Sequence, residues 1–403
     1  MNTIPTTTLV FSLCIAGCAG DSVTPLLTTQ CQVVRSTSTT AAPPTAAERW
    51  NLVTSGVVSR REFGPLGIAR TYALVSVAQY NAIVAARSSS ASSTPQSETG
   101  AAAGAAAAVL GSLYPAEQAA IDSQLSADSA SVAAVATTCG AQFVAGVTTG
   151  RAVAAAVLAR AATDKSNAVW TGTVPTGAGM WVSAPAPAAP LSPLWGSVRP
   201  WLMASGSQFR PAAPPTFGST TFQAQLAEVR RFTDGRTPEQ LRIAQYWGQV
   251  VATSGPAGLW SATALALAAK ANLDERGTAR MLAMMHMAGM DASIGCWDAK
   301  YTYWSIRPFQ ADLAITTPVG RPNFPSYPSA HSCLSAAYAG VLGGLFPSAT
   351  TELKAALDEA GVSRIYAGLH FRIDVEAGQA IGASVASLAL QRAPADGAAI
   401  PMN

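Results

Sequence analysis

From Ile68 onward, apolar residues return at Tyr72, Val75 and Ala82, and the run stops at Arg87 before Ser88, Ser89 and Ser90. Intervals of three, four and seven place side chains on one helix face, so this stretch predicts an amphipathic helix ended by a serine-rich loop. Alanine-rich segments at 101–113, 115–138 and 140–164 predict further helices, with Gly-Ser and Tyr-Pro punctuation between the first two. Their expected role is packing. The character changes at 166–218, where nine prolines fall between Pro175 and Pro215 and Trp170, Trp181, Trp195 and Trp201 are interspersed. A loop of that length in a compact fold needs a reason to exist, and the tryptophans predict that it is ordered.

Helices are expected to resume at Thr237-Pro238-Glu239-Gln240, where threonine can cap, proline suits the first turn and glutamine completes a capping box. Ile243, Tyr246, Trp247 and Val250 would follow along one face. The next helix, about 275–306, carries Met281, Met284, Met285, Met287 and Met290, a pattern of core filling, with His286 expected to pack among them. Three last pieces read as Ser332 to Leu345, Ser348 to Ala360 and Asp374 to Gln391. Gly340, Gly343, Gly344, Gly378 and Gly382 in them permit close helix approach. No apolar run in this half reaches the roughly 18 residues of a membrane span. The pattern therefore predicts a soluble all-α, multi-helix bundle with one long Trp/Pro-rich loop.

Composition narrows the partners. The 403 residues carry a formal charge of only +3, charged residues are 12%, and no basic block occurs, which argues against nucleic acid. At the amino terminus, Leu9 to Ala16 is a short apolar run ending in small residues, so 1–20 reads as an export signal, although no lysine or arginine precedes Arg35. Ile15-Ala16-Gly17-Cys18 resembles the lipobox of bacterial lipoproteins, which would make Cys18 a lipid anchor. Residues 21–47 read as a polar linker, and the folded part is expected from Glu48, with a helical part to 220 and a site-bearing part at 221–403. Setting Cys14 and Cys18 aside, Cys31, Cys139, Cys296 and Cys333 are compatible with an oxidising compartment, with no pairing deducible.

The chemistry gathers between 297 and 374: Trp297, Lys300, Arg307-Pro308, then Phe324-Pro325-Ser326-Tyr327-Pro328-Ser329-Ala330-His331, then Ser363-Arg364 and His370-Phe371-Arg372-Ile373-Asp374. Two of the chain's three histidines lie here with Lys300, Arg307 and Arg364, a set that suits a phosphate-like oxyanion. Lys300 and Arg307 are seven apart and on a helix would share a face. Arg364 adds a planar fork of donors that lysine cannot reproduce.

These residues resemble the vanadium-dependent haloperoxidases and the type 2 phosphatidic acid phosphatases that share their site. The family pattern is Lys, six residues, Arg-Pro; then Pro-Ser-Gly-His; then Ser-Arg, five residues, His, three residues, Asp. It is met by Lys300, Arg307, Pro308, Pro328, Ser329, His331, Ser363, Arg364, His370 and Asp374, with Ala330 in place of glycine. Some peroxidases of the family carry an aspartate after the Phe/Tyr-Trp pair to hold the acid-base histidine or the arginines. Here Gln249 and Val250 offer no carboxylate. The resemblance implies an all-α fold and a vanadate cofactor, with phosphate able to occupy the same site.

The implied roles follow from residue type. His370 would ligate vanadium or attack phosphorus, with Asp374 fixing its tautomer. His331 would exchange protons on the opposite side. Lys300, Arg307, Arg364, Ser329 and the Ala330 amide would hold equatorial oxygens. Trp297 and Phe324 stand where the chloroperoxidases have aromatics beside the vanadate, which favours a peroxidase acting on hydrogen peroxide, halide and a small organic acceptor. A soluble acid phosphatase working through a phosphohistidine is the alternative. A non-catalytic oxyanion-binding protein is a third, disfavoured by two intact histidines.

Overall fold

The computed structural model describes residues 43–61, 64–89, 93–183, 189–249, 254–393 and 397–402. The export signal, Cys14, Cys18, Cys31 and most of the linker lie outside them. Among the described residues the chain forms thirteen α-helices and no strand beyond an isolated bridge between Met180 and Ser305. The first five are α1 (Ala46–Arg61), α2 (Pro65–Ser88), α3 (Pro95–Leu113), α4 (Gln118–Ala133) and α5 (Thr137–Ala162). After the loop come α6 (Thr220–Asp234), α7 (Pro238–Gln249), α8 (Gly255–Lys270), α9 (Glu275–Tyr303), α10 (Pro308–Ala311), α11 (Ala330–Leu345), α12 (Thr350–Tyr366) and α13 (Arg372–Gln391).

Starts are set by side-chain caps. Thr94 and Ser97 cap α3 reciprocally, and the expected box at Thr237 and Gln240 forms at α7, with bonds of 3.0 and 3.2 Å. The amides of Ala46 and Ala47 donate to the Glu275 carboxylate at 2.8 and 2.7 Å, which ties the start of α1 to the start of α9. Helix α6 precedes the point where helices were expected to resume. Only Phe222, Val229 and Thr233 on it are buried, a stripe too narrow to stand out in the sequence. On α7 the buried residues are Ala244 and Trp247, whereas Tyr246 faces solvent, a correction to the expected apolar face. Helix α12 runs past Ala360 to Tyr366 and so carries Ser363 and Arg364.

Two backbone-to-backbone contacts organise the bundle. At α3 against α5, a Cβ added at Gly146 or Gly150 would lie 2.1 or 2.2 Å from the carbonyl oxygens of Ser97 and Ala101. At α11 against α13, one added at Gly378 or Gly382 would meet the Ser329 and Cys333 carbonyls at 2.6 and 2.3 Å. Among the described residues, α5 alone is long and apolar enough to cross a membrane by length and composition. Between these pairs runs α9, buried along most of its length, its methionines in the main core with residues of α2, α8, α11 and α13. His286 is fully buried, stacks on Tyr72 at 4.7 Å and lies 3.2 Å from the Ser261 hydroxyl, and burial pushes its pKa down to about 3. Its role is packing, as expected. Cys296 and Cys333 are free and buried.

The long loop is ordered by α9. Asp291 accepts three main-chain bonds, from Trp201, Leu202 and Met203 at 2.8, 2.7 and 2.8 Å, and the Trp195 indole donates to Ser293 at 2.9 Å. The segment Pro193 to Pro200 is thus a wrap on α9. Gly179, Pro214, Pro215 and Phe217 of the same loop instead line a pocket beside Asp374.

Two outcomes test this packing. Gly382→Ala must push α13 from a rigid carbonyl and is expected to cost about 1–3 kcal/mol, whereas Gly320→Ala, with nothing within 4 Å, should leave the thermal midpoint unchanged. The folded pKa of His286 lies below its unfolded value of 6.5, so the stabilisation from its neutral form is complete above pH 6.5 and shrinks as pH falls toward 3. Urea unfolding at pH 7 and pH 5 should show His286→Phe losing about 2 kcal/mol less than the parent over that interval.

Candidate functional site

The carboxyl end of α9 presents Trp297 and Lys300, and the helix stops at Trp304, whose φ of 50° is left-handed. Arg307 lies beyond that turn, so Lys300 and Arg307 do not share a helix face as expected. They converge by another route. The Lys300 ammonium donates to the carbonyls of Pro325 and Ser326 at 2.9 and 2.8 Å and to that of Pro328, which engages all three of its protons. The Arg307 guanidinium donates to Phe324 and Pro325 carbonyls at 2.9 and 3.3 Å, and on its other side to the Leu369 carbonyl at 2.9 Å. Both cations therefore meet at Pro325. Phe324 lies 5.0 Å from Lys300, from Arg307 and from the Trp297 ring, so the two aromatics flank the charges.

Segment 324–328 leads into Ser329, which caps α11 and whose amide donates to the Asp374 carbonyl at 2.8 Å. Ala330 and His331 occupy the first two positions of α11, where amides have no partner within the helix and the dipole is positive. The His331 Nε2 sits 3.0 Å from the carbonyl of Trp247, in the last turn of α7, where carbonyls have no intrahelical partner. A main-chain carbonyl thus stands where a carboxylate was missing at Gln249 and Val250. A carbonyl only accepts, so Nε2 carries the proton and Nδ1 the lone pair. The same helix holds Arg364, which donates to the Ala244 carbonyl at 2.8 Å and to Ser363 at 3.0 Å.

His370 precedes α13 rather than lying on it, so its link to Asp374 is not the helical turn expected from the spacing. It forms across the capping turn. Asp374 Oδ2 accepts from the Phe371 amide at 3.1 Å, from the Ser326 hydroxyl at 2.6 Å and from His370 Nδ1 at 2.9 Å. With the proton at Nδ1, the His370 Nε2 keeps its lone pair, which faces Arg307 at 3.0 Å.

Lys300, Arg307 and Arg364 are each at most 2% exposed, and among the described residues none forms an ion pair. Asp374, 1% exposed, is the carboxylate among them. Burial pushes Lys300 down to about 8, and burial followed by Arg307 lowers Arg364. Burial, then Arg307 and Lys300, holds His370 well below its ordinary value; burial, then Arg364, lowers His331, which keeps an exposed edge. Asp374 is raised to about 6 by burial against the Ser326 hydrogen bond. The sequence-predicted residues are thus brought together. Ser326 and the carbonyls of Ala244 and Trp247 were not assigned beforehand, and the carbonyls leave no residue-type signal to find them by.

Residues 278–397, the segment that carries Lys300, Arg307, His331, Arg364, His370 and Asp374, match the model of the PAP2 superfamily. No curated protein sequence matches the chain significantly. A bacterial vanadium-dependent iodoperoxidase superposes with a TM-score of 0.73 at 22% identity, over 88% of this chain and 98% of that one. The apo and holo forms of a bacterial vanadium-dependent chloroperoxidase each superpose with 0.65 over 82% of this chain, at 15% and 16% identity, covering 95% and 92% of theirs. The chain has the all-α fold of these enzymes.

A buried surplus of positive charge predicts binding of a tetrahedral oxyanion that weakens with rising pH. Sulfate keeps its charge, so only the protein titrates. Calorimetric affinity should hold to pH 7 and fall as Lys300 loses its proton around pH 8, and Lys300→Met should bind more weakly with no such fall.

Proposed function

We propose that the chain is a vanadium-dependent haloperoxidase. The observation that carries this reading is the His370 Nε2 lone pair facing a buried cluster of three cations with one carboxylate. That donor set fits vanadate: a neutral imidazole for one bond, with Arg364, Ser329, the Ala330 amide and the Arg307 N–H that faces His370 for its oxygens, while Lys300, whose three protons are held by carbonyls, contributes fixed positive charge. Bound vanadate supplies Lewis acidity that makes a peroxide oxygen electrophilic toward halide.

The protein's own share is positional and protic. Asp374 keeps the proton on Nδ1 of His370 and so keeps Nε2 basic. His331, neutral at ordinary pH, has no partner on Nδ1 among the described residues and can take a proton from hydrogen peroxide. Trp297 and Phe324 place apolar, polarisable walls beside Lys300 and Arg307, a setting for a weakly hydrated halide.

The PAP2 match supports a second reading, an acid phosphatase, because the same cations would grip a phosphate ester and Nε2 could attack phosphorus.

Vanadate-loaded protein should halogenate monochlorodimedone with hydrogen peroxide and bromide or iodide, and phosphate should compete with vanadate. His331→Ala should lower the rate by about 10² or more, while His370→Ala should lose vanadate affinity in calorimetry. Efficient aryl phosphate hydrolysis with no halogenation at any vanadate concentration would establish the phosphatase instead.

A further inference from the structure

Beside the His370–Asp374 pair lies a small, partly open cleft with a cavity volume of about 50 Å³ that none of the roles above uses. Its walls are Phe217 from the long loop, Phe222 from α6 and Phe371 next to His370, joined by Pro215 and Ile306. The rings form a continuous face, with centroids 4.9 Å apart for Phe217 and Phe222 and 5.3 Å for Phe222 and Phe371. Gly179 shapes the rim: its φ is +78°, and a Cβ there would come within 2.5 Å of Phe217.

The polar groups in this apolar wall are few. Asp374 is 1% exposed and lines the pocket, yet all three of its side-chain hydrogen bonds fall on Oδ2. Among the described residues no donor reaches Oδ1. Gln225 spends its carbonyl on the Ile373 amide at 3.0 Å, and its NH2 group has no acceptor among the described residues. With the three bonds on Oδ2, Oδ1 is the carboxylate oxygen left to accept a donor from a ligand or solvent. An apolar slot with a few convergent polar groups is the usual form of a small-molecule site.

We infer that this pocket binds a hydroxyl-bearing aromatic ring, edge in against the phenylalanines with its O–H donated to Asp374 Oδ1. This rests on the haloperoxidase reading only for its consequence, that such a phenol is the organic acceptor. The ring is held one side chain away from His370, and its oxygen, hydrogen-bonded to a carboxylate, becomes more electron-rich, which favours attack by the ring carbon on the halogen of a hypohalous acid: the carbon–halogen bond replaces the oxygen–halogen bond, and the displaced ring proton leaves with the hydroxide as water.

The test uses the full chain without vanadate. Phenol and toluene match in shape and differ in the hydroxyl, so ligand-observed NMR should find phenol binding about tenfold tighter, the scale of a hydrogen bond to a charged group. Phe217 is 43% exposed, so Phe217→Ala should leave the thermal midpoint unchanged while weakening phenol about fivefold, the scale of one aromatic contact. In vanadate-loaded enzyme the same variant should raise KM for phenol and leave peroxide-driven iodide oxidation, read as triiodide, unaltered. Equal affinity for phenol and toluene, or phenol affinity indifferent to Phe217→Ala, would overturn the assignment. Phenol bound as described in a protein that oxidises no halide would sustain the pocket and overturn the haloperoxidase reading instead.

Discussion

Everything at this site follows from one electrostatic constraint: three cations are taken out of water with a single carboxylate beside them. Removing a charge from water costs several kcal/mol even after relaxation, so each must find compensation in the protein. Lys300 and Arg307 find it in the carbonyls of Phe324, Pro325, Ser326, Pro328 and Leu369, and Arg364 in that of Ala244. Carbonyl dipoles hold a cation without neutralising it. The cluster therefore stays positive, and burial first, then this charge, pushes both histidines toward their neutral forms, which leaves a lone pair on each for proton transfer or ligation.

Such compensation demands an ordered backbone, and the bundle supplies it. The glycines of α13 bring that helix against the first turns of α11, which ties the Ser329 amide to the Asp374 carbonyl and so fixes the cap, the dyad and His331 relative to one another. On the other side, Asp291 and Ser293 of α9 pin the long loop, so the helix that carries Lys300 also positions the chain that forms the pocket rim. Rigid elements place the charges, while the loop shapes what can approach the carboxylate.

The amino-acid sequence by itself determined the helical class, most helix positions and the candidate residues that the fold brings together. Helical periodicity, alanine content and the spacing of Lys300, Arg307, Ser329, His331, Arg364, His370 and Asp374 are local properties, written in residue type and interval. Caps such as Thr237 with Gln240 were visible for the same reason. Helix α6 was missed because three buried residues make a weak stripe, and Tyr246 was misplaced because an aromatic next to Trp247 looks apolar whichever way it points. Tertiary structure alone decided how the site is joined. Lys300 and Arg307 are separated by a left-handed turn, and the dyad closes across a cap rather than along a helix. His331 is oriented by the carbonyl of Trp247, a group every residue carries, so no choice of side chain could have announced it.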